Sequence, residues 1–157
     1  MASAHELVSS LGLTPHPEGG WYREIHRSAV SVQSARGSRC AVTAIHYLLE
    51  AHQLSRWHVV EADEIWHFET GAPLELFAYQ PGSHPLRHVL GSLEQGHTPL
   101  VVIGSGVWQA ARSLGDYSLV SCTVGPGFEF EDFRFVSDLP GHAAHFQGGR
   151  AALAALL

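Results

Sequence analysis

The chain has 157 residues, 45% hydrophobic and 15% charged, with a formal net charge of −6. That length suits one domain, 1–157, able to bury roughly 70% of its unfolded surface without disulfide staples. The nine cations are all arginine and form no run, which excludes a phosphate backbone or an anionic membrane surface as partner.

Residues 4–11 carry apolar side chains at 4, 7, 8 and 11, the period of a short amphipathic helix that Gly12 is placed to end. Thr14-Pro15-His16-Pro17 cannot continue a helix, and Glu18-Gly19-Gly20 reads as a turn needing positive φ. A strand follows from Trp21 to Ser28, with Trp21, Arg23 and Ile25 on one face and Tyr22, Glu24 and His26 on the other. Glu24 then lies on a solvated face or at a pocket rim. Residues 31–39 are small and polar and read as a loop. Residues 41–50 are apolar and β-branched, a strand covered on both faces. It also reads as a sheet edge that a homodimer would bury.

The segment from Ser55 to Gly71 organises the rest. It reads as two strands in a hairpin joined by an acidic turn, which would bring His58 towards Glu64. Alternation puts Glu64, Trp66 and Phe68 on one face and Ile65, His67 and Glu69 on the other. His58 and Glu64 are then either a structural buried pair or a ligand-contacting pair in which the carboxylate orients the imidazole. Trp57, Trp66, Trp108 and Tyr47 serve as core aromatics or stack on a flat ring or sugar face. Arg23 and Arg56 are the cations available to hold an anionic group.

Further strands run over 73–79, 86–90, 100–103, 107–111 and 117–124, punctuated by Pro81-Gly82, Gly91, Gly96, Gly104-Ser105-Gly106 and Gly115. Phe128, Phe130, Phe133 and Phe135 add apolar anchors. Asp132 and Phe133 read as turn and packing residues. The apolar tail 150–157 is a docking helix or a frayed end. Many short strands with Gly/Pro breaks and one helix make an all-β antiparallel barrel or jelly roll, its core at about 16–140. Cys40 and Cys122 lack metal or disulfide spacing and read as buried small groups in strands. No leader or 18-residue apolar run stands in the sequence, which points to a soluble, cytoplasmic chain.

Four segments carry a family resemblance: His16-Pro17-Glu18-Gly19-Gly20-Trp21; Trp57-His58 with Asp63-Glu64-Ile65-Trp66-His67-Phe68; Gly106-Val107-Trp108-Gln109-Ala110; and Gly127-Phe128 with Asp132-Phe133. The sequence resembles the cupin superfamily, in the branch that carries sugar-epimerase and unknown-function labels. The resemblance implies a jelly-roll barrel, usually dimeric, with a pocket at its mouth. It brings Glu18 in as a contact and Gln109 as a pocket amide. Where the metal-binding pattern of cupins has its ligands, this chain has Arg56, His58, Glu64 and Gln109. Arg56 cannot ligate a metal and Gln109 does so poorly, so a divalent metal, held if at all by His58 and Glu64, is disfavoured.

Two functions from different classes follow. One is binding of a small polar metabolite such as a nucleotide or nucleotide-sugar, with no cofactor. The other is a sugar epimerase or isomerase with His58 as base, Glu64 activating it, and Tyr47 or Tyr22 as acid. A metal-dependent cupin enzyme is the third and weakest reading.

Overall fold

A computed structural model describes residues 1–135. The apolar tail at 150–157 lies outside the described residues. One helix, α1 (Ala4–Leu11), precedes thirteen strands. These are β1 (Thr14–Pro15), β2 (Trp21–Arg27), β3 (Ser31–Ser34), β4 (Gly37–Cys40), β5 (Thr43–Glu50), β6 (Leu54–Val60) and β7 (Asp63–Gly71). The others are β8 (Leu74–Tyr79), β9 (Leu86–Leu90), β10 (Leu100–Ile103), β11 (Trp108–Ser113), β12 (Tyr117–Gly125) and β13 (Phe133–Phe135). Six of them form one sheet in the order β1-β2-β5-β12-β7-β10, five form a second in the order β13-β6-β11-β8-β9, and β3-β4 is a separate hairpin. All named pairings are antiparallel. The two sheets face each other as a jelly roll, the all-β architecture expected from the strand spacing.

The helix forms as its period and caps require. Ser3 and Glu6 make a reciprocal capping box, and Gly12 closes the other end in the left-handed conformation. Its apolar stripe, Leu7, Val8 and Leu11, packs with Leu13, Leu48, Tyr117 and Leu119 on the outside of the larger sheet.

The core lies between the sheets. Leu49, Trp66, Leu74, Leu76, Leu90 and Val120 fill it, each at most 1% exposed. These residues occupy one half of the barrel. The other half, bounded by the start of β5, the end of β6, the start of β7 and the end of β12, is packed less completely and holds a small cavity.

Four sequence expectations change here. First, β6 and β7 are not a hairpin; they belong to opposite sheets, and residues 61–62 carry the chain across the barrel end. Periodicity shows two strands but not which partner each takes. Second, 31–39 is no loop: β3 and β4 pair from Ser31–Cys40 to Ser34–Gly37. Third, β5 is not a sheet edge, since it pairs with β2 on one side and β12 on the other. Fourth, a bulge between Glu24 and His26 pairs His26 with Ala44, taking His26 off the face of Tyr22 and Glu24. Cys122 is buried as expected, whereas Cys40 is half-buried, and both are free thiols.

Candidate functional site

The less completely packed half of the barrel holds a cavity of about 40 Å³. Its polar wall is His16, Glu18, Tyr47, His58, Glu64 and Cys122. Its apolar wall is Tyr22, Ile45, Val60, Val124, Phe128 and Phe133, with Thr43 beside them.

Glu18 arrives on the link between β1 and β2, which crosses the barrel end. That link needs its glycines. Gly19 has φ of 106°, and a Cβ there would overlap the carbonyl oxygen of Leu54. Gly20 has φ of 79°, and a Cβ there would lie 2.7 Å from the Leu48 oxygen. The Tyr47 hydroxyl donates to the Gly19 carbonyl at 2.6 Å and fastens the turn to β5.

His58 is placed by a bulge. Along β11, Gln109 pairs with His58 and Ala111 with Ser55, so β6 spends one extra residue there. Ser55 and His58 therefore both meet Glu18: Ser55 Oγ donates to Oε1 at 3.0 Å, and His58 Nε2 lies 3.2 Å from Oε2. Arg56 is turned out by the same bulge. Its guanidinium donates to the Pro17 carbonyl at 3.2 Å and sits 4.7 Å from the centre of the Phe135 ring. The ring of Phe133 stacks on that of His58 at 5.0 Å between centroids.

The protons of His58 follow from its partners. Nδ1 lies 2.7 Å from the Arg56 carbonyl oxygen, which only accepts, so Nδ1 carries a hydrogen. A single proton then bridges Nε2 and Glu18 Oε2. Whether it sits on nitrogen or oxygen, the pair carries no net charge. Burial moves both groups towards neutrality: it pushes Glu18 up and His58 down, with the charge of Glu64 opposing the shift at His58. Burial also lowers His16, whose Nδ1 accepts from the Glu18 backbone N–H at 3.0 Å.

Glu64 faces the same space from β7. Burial raises it to about 7, the charge of Glu18 adds to the rise, and His58 and the Gln109 hydrogen bond oppose it. Gln109 Nε2 donates to Glu64 Oε2 at 2.5 Å, while Gln109 Oε1 accepts from Trp66 Nε1 at 2.9 Å. Glu64 is thus held from behind by an amide whose own orientation an indole fixes.

Of the residues singled out from sequence, Glu18, Tyr22, Tyr47, His58 and Glu64 share the cavity. Gln109 and Trp66 stand one layer behind it. Trp57 and Trp108 belong to a separate cluster with Phe77 and Tyr79. Arg23 donates to the Leu11 carbonyl at 3.1 Å, and Glu24 binds Arg27 at 2.7 Å. Sequence reasoning gave no site role to His16, Cys122, Phe128 or Phe133. They reach the cavity through pairing between distant segments, which no periodicity reports; the nearest signal was the matched segment that contains both His16 and Glu18.

The four metal-pattern positions do not fit a three-ligand metal. Arg56 points away, both groups of the Gln109 amide are engaged, and both His58 ring nitrogens have partners. Among the described residues no three His, Cys, Asp or Glu side chains converge in a metal-holding arrangement.

A two-sheet antiparallel jelly roll with a cavity inside the barrel and a buried His–Glu pair defines the class of protein: a cupin-type barrel. The family described as Cupin superfamily (DUF985) matches residues 5–136, and the chain belongs to it. It is similar to a hypothetical protein from Leishmania major at 31% identity, covering 85% of this chain and 86% of that one, with TM-score 0.80. It is similar to a crystallised protein from Shewanella oneidensis at 30% identity, covering 99% and 98%, with TM-score 0.85. An oxalate decarboxylase from Bacillus subtilis shares the fold at 15% identity and TM-score 0.60, and this chain spans 36% of it. The comparison with curated proteins finds no match.

Proposed function

We propose that the protein binds a small polar molecule in the barrel cavity, with the Glu18–His58 pair and Glu64 as the groups that read it. The observation that carries this reading is the cavity's composition: three buried titratable side chains converge on a space that apolar and aromatic residues otherwise line. Buried polar groups are normally consumed by partners inside the fold. Here Ser55, the Arg56 carbonyl and Gln109 fix these groups from behind, Glu18 and His58 bond each other, and the cavity stays open in front of them.

The volume bears on the ligand class. About 40 Å³ takes a fragment of a few heavy atoms, since a cavity needs only about 10–15 Å³ of such space to hold one water. A second cavity of about 60 Å³ adjoins it, sharing Tyr22, Thr43, Ile45 and Phe128 and reaching Glu24, Arg27 and Glu129. A nucleotide or nucleotide-sugar would place only a ring-sized group inside. Its phosphates would meet Arg27, whose charge is already taken by Glu24 at 2.7 Å and Glu129 at 2.8 Å. This favours a small metabolite over a nucleotide.

The isomerase reading keeps one supporting observation. Tyr47 is a poor acid, because burial pushes its phenol up and its hydroxyl is bound to Gly19. Glu64, held near 7, is suited to give or take a proton, whereas both ring nitrogens of His58 are engaged, by Glu18 and the Arg56 carbonyl, which counts against His58 as the base.

The test is a thermal-shift screen of sugars, amino-compounds, small acids and nucleotides on the native protein and on Ile45→Trp, whose indole fills the cavity. A ligand must raise the melting temperature of the native chain and lose that effect in Ile45→Trp. A shift that survives in Ile45→Trp puts the binding site elsewhere.

A further inference from the structure

Resting on that reading, we infer that the ligand is a small organic cation, a protonated amine whose charge sits against Glu64 and whose apolar part lies among Tyr22, Phe128 and Ile45. The inference comes from counting charge around the cavity. The Glu18–His58 pair shares one proton and is neutral overall, by the partner argument on Nδ1. His16 is turned from the charged form by burial, and its Nδ1 is an acceptor. Cys122 is a buried thiol whose ionisation burial disfavours. That leaves Glu64, whose partners, the Gln109 amide and the Cys122 thiol, are uncharged.

Among the described residues no arginine lines the cavity, and the chain has no lysine. The nearest cation on the far side, Arg56, is drawn outward onto Pro17 and Phe135. Towards the adjoining cavity, Arg27 is flanked by two carboxylates, so that side is net negative as well. An isolated buried carboxylate is costly, and it is relieved by a proton or by a cation. Glu64 takes the first course when the cavity is empty, which is why its affinity for a proton is raised. A bound ammonium group takes the proton's place. Tyr22, Phe128 and Phe133 also line this space, and an aromatic face is a favourable neighbour for a cation. An anionic ligand would face Glu64 with no compensating charge, and a neutral one would leave the carboxyl protonated and gain no ionic contact.

The experiment is an NMR titration of the Ile45 methyl with three probes of matched length: propylammonium, 1-propanol and propionate. Propylammonium is expected to bind at least ten-fold more tightly than 1-propanol, and propionate not at all. In Glu64→Gln the ammonium-to-alcohol ratio should fall to about one, with the native-like methyl spectrum confirming that this variant is folded. The native-protein ratio needs no variant and stands even if Glu64→Gln unfolds. Equal or stronger binding of 1-propanol or propionate overturns the cation assignment while leaving the cavity as a binding site. No perturbation by any of the three overturns both.

Discussion

Glu64 shows how one residue couples the site to stability. Burial raises its carboxyl from the ordinary 4.5 to about 7. Between those values the folded chain holds a proton that the unfolded chain has released, so stability falls as pH rises through this window. A shift of that size corresponds to about 3 kcal/mol. Glu64→Gln removes the titration. Urea unfolding at pH 5 and pH 8 should therefore show the native chain losing about 3 kcal/mol relative to Glu64→Gln across the interval, an order-of-magnitude figure from the same linkage. A pH-independent difference would contradict the assignment. Gly19 is a second residue on which the site depends. Gly19→Ala forces a side chain into the Leu54 carbonyl at a φ of 106°, and it should cost about 2–4 kcal/mol and displace Glu18. The readouts are the denaturation midpoint and loss of ligand response. Trp66→Phe strips the donor from Gln109 Oε1 and leaves a buried carbonyl unsatisfied, at about 1–3 kcal/mol by chemical denaturation.

Between elements, the β3-β4 hairpin is tied down by ion pairs from Arg36 and Arg39, of which the Arg39–Asp132 pair is the most buried. Arg39 on β4 makes two bonds to Asp132, at 2.8 and 2.9 Å, and both side chains are buried. Asp132 immediately precedes Phe133, which stacks on His58. The pair thus fixes the position of a cavity wall from outside the barrel. The Arg39 hydrogen bonds hold the Asp132 carboxyl below its ordinary range. Its stabilisation is present above the ordinary carboxyl pKa and is lost as pH falls through the lower folded value. Arg39→Ala should lower the melting temperature more than Arg27→Ala, because Arg27 and its partners Glu24 and Glu129 are solvent-exposed. Equal effects would show that the hairpin is not anchored by this pair. The β6 bulge works at the same scale. Without its extra residue, Ser55 and His58 would lie on opposite faces and Glu18 would keep only one of them.

Over the molecule, β12 is the strand with the most extensive pairing, matched to β5 along Tyr117–Val124 and to β7 along Ser118–Gly125. Its amides, with those of central β5 and β7, should exchange slowest with deuterium, and those of β3 and β4 faster. Rapid exchange in β12 would contradict this order of local stability.

Much of this was legible in the chain itself. The helix at 4–11 with Gly12 as its end, the alternation of Glu64, Trp66 and Phe68, and the need for glycine at 19 and 20 are local properties, set by side-chain period and backbone sterics over a few residues. They were sufficient for an all-β barrel with one capping helix. The partner of each strand was not legible, because alternation fixes which face a residue takes and says nothing about the sheet on which it lies. Hence β6 and β7 read as a hairpin although they face each other across the barrel, and β5 read as an edge although it is central. The bulge that turns Arg56 out and His58 in, the placing of His16 and Phe133 around the cavity, and the lack of a buried cation opposite Glu64 among the described residues were decided by the tertiary structure. Each depends on contacts between residues tens of positions apart, where the energy comes from burial and from matching hydrogen-bond partners, and neither leaves a periodic trace along the sequence.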